Sequence, residues 1–303
     1  MKTLGSCIRP VKEPFSGYQT QFNEASYVIF GVPYDKTSTY RLGSRLGPKA
    51  VRRASLNIET YSPRTDLYVE DLKMCDLGNV KVAGSLDCVT EVTSKILDAG
   101  KMPVILGGEH TLTYYALNAL PRDTALVSFD AHYDLRDEYN GRKISHATVM
   151  RRIVDKCGPE RIIFAGTRAT SKEELSFVEK NKIHNITAHK ILHDGWREAA
   201  DSIKDSLQKF SRYYLTLDMD VLDPAHAPEV GNPEPEGLEV TSLLNIIHGF
   251  CDERLVGFDL VEVAPKGDFG ITAIQAAKII FEILCFIEAV TRRAYEDFLA
   301  SFR

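Results

Sequence analysis

Seven short runs rich in branched and aromatic residues constrain the fold of this chain most: YVIFGVP (27–33), MPVILGG (102–108), ALVSFDAH (125–132), RIIFAGT (161–167), NITAHKI (185–191), YYLTLDMD (213–220) and LVGFDLVEV (255–263). Runs this continuously apolar do not suit strands with one wet face; they predict a parallel sheet covered on both sides. Between them EVTSKILDAG (91–100), HATVMRRIVDKC (146–157), SKEELSFVEKN (171–181), GWREAADSIKDSLQKF (195–210) and the terminal segment 271–299 carry helical periodicity. The chain is therefore α/β. Strand–helix alternation alone does not separate an open doubly wound sheet from an eightfold barrel, but both gather their active sites at the carboxyl ends of the strands. No repeat or low-complexity linker interrupts the 303 residues, which predicts one domain over 1–303 with DPAHAPEVGNPEPEGL (223–238) as a long functional loop.

Composition closes off several classes. A formal charge of -5 provides no basic field for nucleic acid. The start MKTLGSCIRPVKEPF has no apolar targeting segment, and the most apolar stretch (271–290) carries Lys278, Glu282 and Glu288, as a buried amphipathic helix does and a membrane span does not. A cytoplasmic protein is expected, with neither nucleic-acid nor membrane partners. The six cysteines (Cys7, Cys75, Cys88, Cys157, Cys251, Cys285) show no metal-binding spacing, so free thiols are expected instead of disulfides.

The chemistry concentrates at strand ends. SFDAHYD (128–134) places Asp130, His132 and Asp134 at alternate positions after an apolar run, which projects all three to one side if the strand continues. Two carboxylates crowded with an imidazole need a positive partner. YYLTLDMD repeats the pattern with Asp218 and Asp220, and MPVILGGEH ends in Gly107 and Gly108, which permit a tight turn and close backbone approach before His110. Four aspartates and two histidines from three strand ends, with no cysteine among them, suit Mn²⁺ or a related divalent ion. Six donors are natural for two ions bridged by carboxylates, a pair able to hold a hydroxide and lower the pKa of its parent water.

These motifs, taken with GVPYDKTSTYRLGSRLGPKAVRRAS (31–55), LTLDMDVLDPAHAP (215–228) and GFDLVEVAP (257–265), are strongly similar to the arginase/agmatinase family of ureohydrolases over nearly the whole chain. The resemblance implies a three-layer αβα sandwich with a mostly parallel eight-stranded sheet, a binuclear manganese centre of two Mn²⁺ per subunit, and a homotrimer or homohexamer. It implies that His110, Asp130, Asp134 and Asp218 hold one ion and Asp130, His132, Asp218 and Asp220 the other. Glu262 matches the family's carboxylate for the substrate guanidinium, and His146 its proton-shuttling histidine, although Ala147 stands where many relatives have glycine. Asp259 and Asp268 match residues that order the site from behind. Implied too is attack of a bridging hydroxide, held by Asp134, on a guanidino carbon to release urea.

Within that family the expected substrate is agmatine, giving putrescine in polyamine biosynthesis. The loop LRDEYNGRKISHA (135–147) puts Asp137 and Glu138 where they would repel a carboxylate and welcome an ammonium, and Ala264 stands where arginases tend to have asparagine. N1-aminopropylagmatine, arginine, guanidinobutyrate and formiminoglutamate are the alternative small guanidino or amidine substrates, and a non-catalytic metal-binding protein of the same fold is the alternative of another class. His184, His189, His193, His226 and His248 fit no ligand spacing.

Overall fold

The computed structural model describes residues 4–82, 84–267 and 270–300. Its strands are β1 (Ile8–Arg9), β2 (Tyr27–Gly31), β3 (Tyr61–Ser62), β4 (Leu67–Tyr68), β5 (Met74–Val80), β6 (Met102–Leu106), β7 (Ala125–Phe129), β8 (Ile162–Ala165), β9 (His184–Ile186), β10 (Tyr213–Asp218) and β11 (Leu255–Val261). Among the described residues β3 and β4 form a small hairpin, and the other nine strands form one open sheet in the order β1-β5-β2-β6-β11-β10-β7-β8-β9. An open sheet with two edges is not a barrel. Every pairing in it is parallel except β1 with β5. The sheet thus has one strand more than the expected eight, and two strands, β1 and β5, carry no continuous apolar run that would announce them.

Burial on both faces explains the runs. In β2, Tyr27 and Ile29 join one apolar core while Val28 and Phe30 join a second core on the opposite side. The period of two thus feeds both layers of a sandwich. One layer includes the helices Gly47–Ser55, Trp196–Leu207, Val240–Phe250 and Ile271–Ala300; the other includes Asp87–Asp98, Leu112–Leu117 and Val149–Cys157. The charges within the apolar stretch of the terminal helix are engaged: buried Glu282 accepts from Ser62 and bonds Lys278, and Glu288 accepts the Tyr27 hydroxyl. Among the described residues no helix is long and apolar enough to cross a membrane.

Two local expectations are corrected. NITAHKI is a strand only through Ile186; the Thr187 side chain then accepts the Lys190 N–H at 3.2 Å and starts a helix, Ala188–Asp194, because a threonine that satisfies an orphan N–H is a strong helix signal. Cys7 and Cys88 are joined in a disulfide, while Cys75, Cys157, Cys251 and Cys285 are free. The pair lies 81 residues apart in sequence, so only tertiary packing of the N-terminal segment on the helix Asp87–Asp98 brings the two Cα atoms within 5.5 Å.

Candidate active site

Four central strands, β6, β11, β10 and β7, lie side by side with their carboxyl ends aligned: Leu106 is in register with Leu260, Val261 with Asp218 and Leu217 with Phe129. The residues that follow converge above this edge. Gly108 makes the approach possible, since a Cβ there would stand 2.1 Å from the Tyr34 carbonyl oxygen. Its own carbonyl accepts the Glu262 N–H, and the Glu262 carboxylate in turn accepts the His110 N–H at 2.9 Å.

The expected strand extension does not occur. β7 stops at Phe129, Asp134 takes a left-handed φ of 51°, and Asp220 lies in the 3₁₀ turn Met219–Val221. It is this turned backbone, and not a straight run of strand, that brings the side chains together. Nδ1 of His110 lies 3.0 Å from Asp130, 3.2 Å from Asp134 and 3.6 Å from Asp218. Nδ1 of His132 lies 3.0 Å from Asp220 and 3.6 Å from Asp130. The result is two adjoining groups, His110–Asp130–Asp134 and Asp130–His132–Asp220, each with ligand atoms within 4.8 Å of one another. Asp130 belongs to both.

Two atoms say what the cluster is shaped for. His110 Nδ1 and Asp130 Oδ2 are buried without a hydrogen-bond partner despite their 3.0 Å separation, as two acceptors aimed at a common point would be. The His110 tautomer follows from behind the ring. Asp259 is fully buried and accepts the hydroxyls of Thr216 (2.5 Å), Thr113 (3.0 Å) and Tyr214 (3.0 Å). With its one proton given to Asp259, Thr216 can only accept from His110 Nε2 at 3.1 Å, so the His110 proton sits on Nε2 and the Nδ1 lone pair points inward. This donor set of oxygen and imidazole nitrogen fits hard or borderline divalent ions.

The electrostatics show the same demand for positive charge. Burial pushes the Asp134 carboxyl up to about 7, with Asp130 adding to it, and raises Asp218 and Glu262 well above the usual carboxylate range, helped by Asp220 and by Glu109 respectively. Burial alone would lower the two imidazoles, but the carboxylates of Asp130 and Asp134 facing His110, and of Asp220 and Asp130 facing His132, outweigh it and raise both well above the ordinary histidine value, so the inward Nδ1 lone pairs are drawn strongly to positive charge.

Above the cluster is a cleft of about 340 Å³ lined by, among others, Thr39, Arg136, Tyr139, His146, Glu174 and Glu234. His146 is buried, and burial, with the charges of His132 and His110, lowers its pKa to about 4. Ala147 also faces the cleft. Asp137 and Glu138 do not line it: Asp137 is bonded to Arg152 at 2.6 Å, and Glu138 is exposed. The carboxylates that do line it besides Asp134, Glu174 and Glu234, come from the helix Lys172–Asn181 and from the long 223–238 loop. Arg168 clamps that loop. Its guanidinium donates to the carbonyls of Gly166, Asp220, Val221, Leu222, Glu234 and Pro235. Asp268 lies outside the described residues.

The sequence model of the Arginase family matches residues 25–285. The chain belongs to the arginase family. It is thus a ureohydrolase, acting on guanidino C–N bonds. Among curated members it is 38% identical over 276 residues to the agmatinase of Bacillus anthracis, covering 87% of this chain and 92% of that one. It is 34% identical to the N(1)-aminopropylagmatine ureohydrolase of Thermococcus kodakarensis, with 85% and 89% covered. The crystal structure of the agmatine ureohydrolase of Thermoplasma volcanium superposes with a TM-score of 0.87 at 36% identity over 97% of this chain and 99% of that one. The αβα sandwich is thereby shared with the family, and a binuclear metal centre is the family's character.

Proposed function

We propose that this ureohydrolase hydrolyses agmatine to putrescine and urea with two Mn²⁺ ions held by His110, Asp130, His132, Asp134, Asp218 and Asp220. The observation that carries the proposal is the convergence of five of these side chains in two adjoining groups, with Asp218 3.6 Å from His110 and two buried acceptors left unpartnered, at the floor of an acidic cleft. Two bound divalent ions would offset the carboxylate repulsion and lower the pKa of a shared water.

The chain's own residues supply the rest. Glu262 is a buried carboxylate held above its usual range by burial and by Glu109, so a planar guanidinium is the partner that relieves it. Asp134 stands where it can both ligate and accept a hydrogen bond from the attacking group. His146 lines the cleft with a ring able to take a proton and return it to the departing amine. The ammonium of agmatine is matched by the cleft wall, where Glu174 and Glu234 outnumber the single guanidinium of Arg136, itself 3.8 Å from Glu174 and stacked on Tyr139. An α-carboxylate would meet the same wall unfavourably. Agmatinases among the relatives at 35–38% identity support the same substrate. The second reading is N1-aminopropylagmatine, favoured by the same pair of wall carboxylates, which could receive an added amine.

Urea release by the Mn²⁺-loaded protein across agmatine, N1-aminopropylagmatine, arginine and guanidinobutyrate tests the assignment. Expected is a kcat/KM for agmatine at least about tenfold above arginine, or about 1.4 kcal/mol of discrimination. A preference for arginine, or no urea from any of the four, overturns it.

A further inference from the structure

Glu109 is fully buried next to the cluster, yet its carboxylate is engaged elsewhere. Oε2 accepts the backbone N–H groups of Thr37 at 2.7 Å and Ser38 at 3.2 Å, and a longer contact from the Ser38 hydroxyl. Oε1 accepts the hydroxyls of Thr37 and Thr111, both at 2.6 Å. Each hydroxyl has a single proton. With both spent on Glu109, the 3.4 Å contact between the two threonines supplies none, and the Thr37 oxygen has only lone pairs left. Those lone pairs face His146: its backbone N–H donates to the Thr37 oxygen at 3.0 Å, and its Nδ1 lies 3.2 Å away. The ring proton must therefore sit on Nδ1. Nε2 is left bare, 3.4 Å from the Thr39 hydroxyl, on a residue that lines the cleft.

We propose that Glu109 and Thr37 are positioning residues for His146: Glu109 takes the Thr37 proton, so Thr37 can only accept, and this fixes His146 with Nδ1–H inward and Nε2 open to a proton from the cleft. The inference rests on the reading of His146 as a proton carrier and adds how its tautomer is set. When Nε2 takes a proton, the Nδ1–H bond to Thr37 persists and the positive ring faces the Glu109 charge across one hydroxyl. The arrangement is invisible in the local sequence, because Glu109 and His146 lie 72 and 109 residues from Thr37.

The test compares Thr37→Val with Thr37→Ser, each also in a His146→Ala background, with metal content measured throughout. Thr37→Val is expected to lower kcat about tenfold or more with KM and metal content near wild type, Thr37→Ser to restore kcat to within about threefold, and Thr37→Val to add nothing once His146 is alanine. Imidazole ¹⁵N NMR of the Mg²⁺-loaded protein, with His146 assigned by its absence in His146→Ala, is expected to show protonated Nδ1 and bare Nε2, and loss of that preference in Thr37→Val. A wild-type kcat for Thr37→Val, an equal loss in both backgrounds, or an Nε2–H tautomer in the parent protein overturns the proposal. The NMR arm needs no substrate, so it fails independently of the agmatine assignment.

Discussion

Asp130 contacts both histidines of the cluster, and Asp218 lies between His110 and Asp220, so each neutralises charge that no neighbour can replace. Asp130→Asn and Asp218→Asn are each expected to lose more than about 100-fold in metal affinity and to abolish urea release, measured by metal content after gel filtration and by urea assay. Asp259 touches no ion position, but it sets the His110 proton through Thr216; Asp259→Asn is therefore expected to weaken metal binding about 10- to 100-fold while the protein stays folded. His146→Ala should do the opposite, keeping its metal and losing about 10² to 10⁴ in turnover. The ligand types were legible in the sequence because alternate acids after an apolar run have few structural uses. Their wall was not. Asp137 read as a substrate contact until Arg152, on a helix 15 residues later, captured it, and Glu234 lay unremarked in a loop whose path depends on the Arg168 clamp.

At the level of elements, one buried ion pair lets the polar strand β5 sit inside the sheet between β1 and β2. Arg52, on the helix Gly47–Ser55, is buried and grips Asp76 of β5 with two bonds, Nε to Oδ2 at 2.7 Å and Nη2 to Oδ1 at 2.9 Å. Its remaining donors go to Asn79 at 2.6 Å and the Gly78 carbonyl at 3.0 Å. Removing one partner strands the other charge in the interior, so Arg52→Met or Asp76→Asn should each cost about 3–5 kcal/mol in urea unfolding, and the double variant less than their sum. This pair also explains why MCDLGNV does not read as a strand. Its polar residues look like loop until a guanidinium 24 residues upstream satisfies them. The continuously apolar strands β2, β6, β7, β8 and β10 needed no such partner and were legible from pattern alone.

For the molecule as a whole, the metal-free cluster links stability to pH. The buried carboxyl of Asp134 is raised to about 7, and His110 and His132 are raised too, so the folded state binds protons that the unfolded chain releases earlier. The stability contributed is complete below the unfolded pKa values and is lost as pH rises through the folded ones. Metal-free protein should accordingly show a Tm that falls as pH rises from the ordinary carboxylate range through about 7, and Mn²⁺ should remove most of that fall by replacing the protons; scanning calorimetry with and without the ion measures both. The sheet order has its own consequence for how such a chain is made. β1, β5, β2 and β6 form one contiguous block, β10, β7, β8 and β9 another, and β11, the last strand in sequence, is the wedge between them. His110 follows the first block, and the four aspartates and His132 belong to the second. While the polypeptide is being synthesised, the two sets of donors therefore stand on separate half-sheets until residues 255–261 have emerged and slotted in. Capture of the ion that needs His110 belongs to the final closure of the nascent chain, and a ribosome-bound chain stopped at residue 250 should hold fewer metal equivalents than one extended past residue 290.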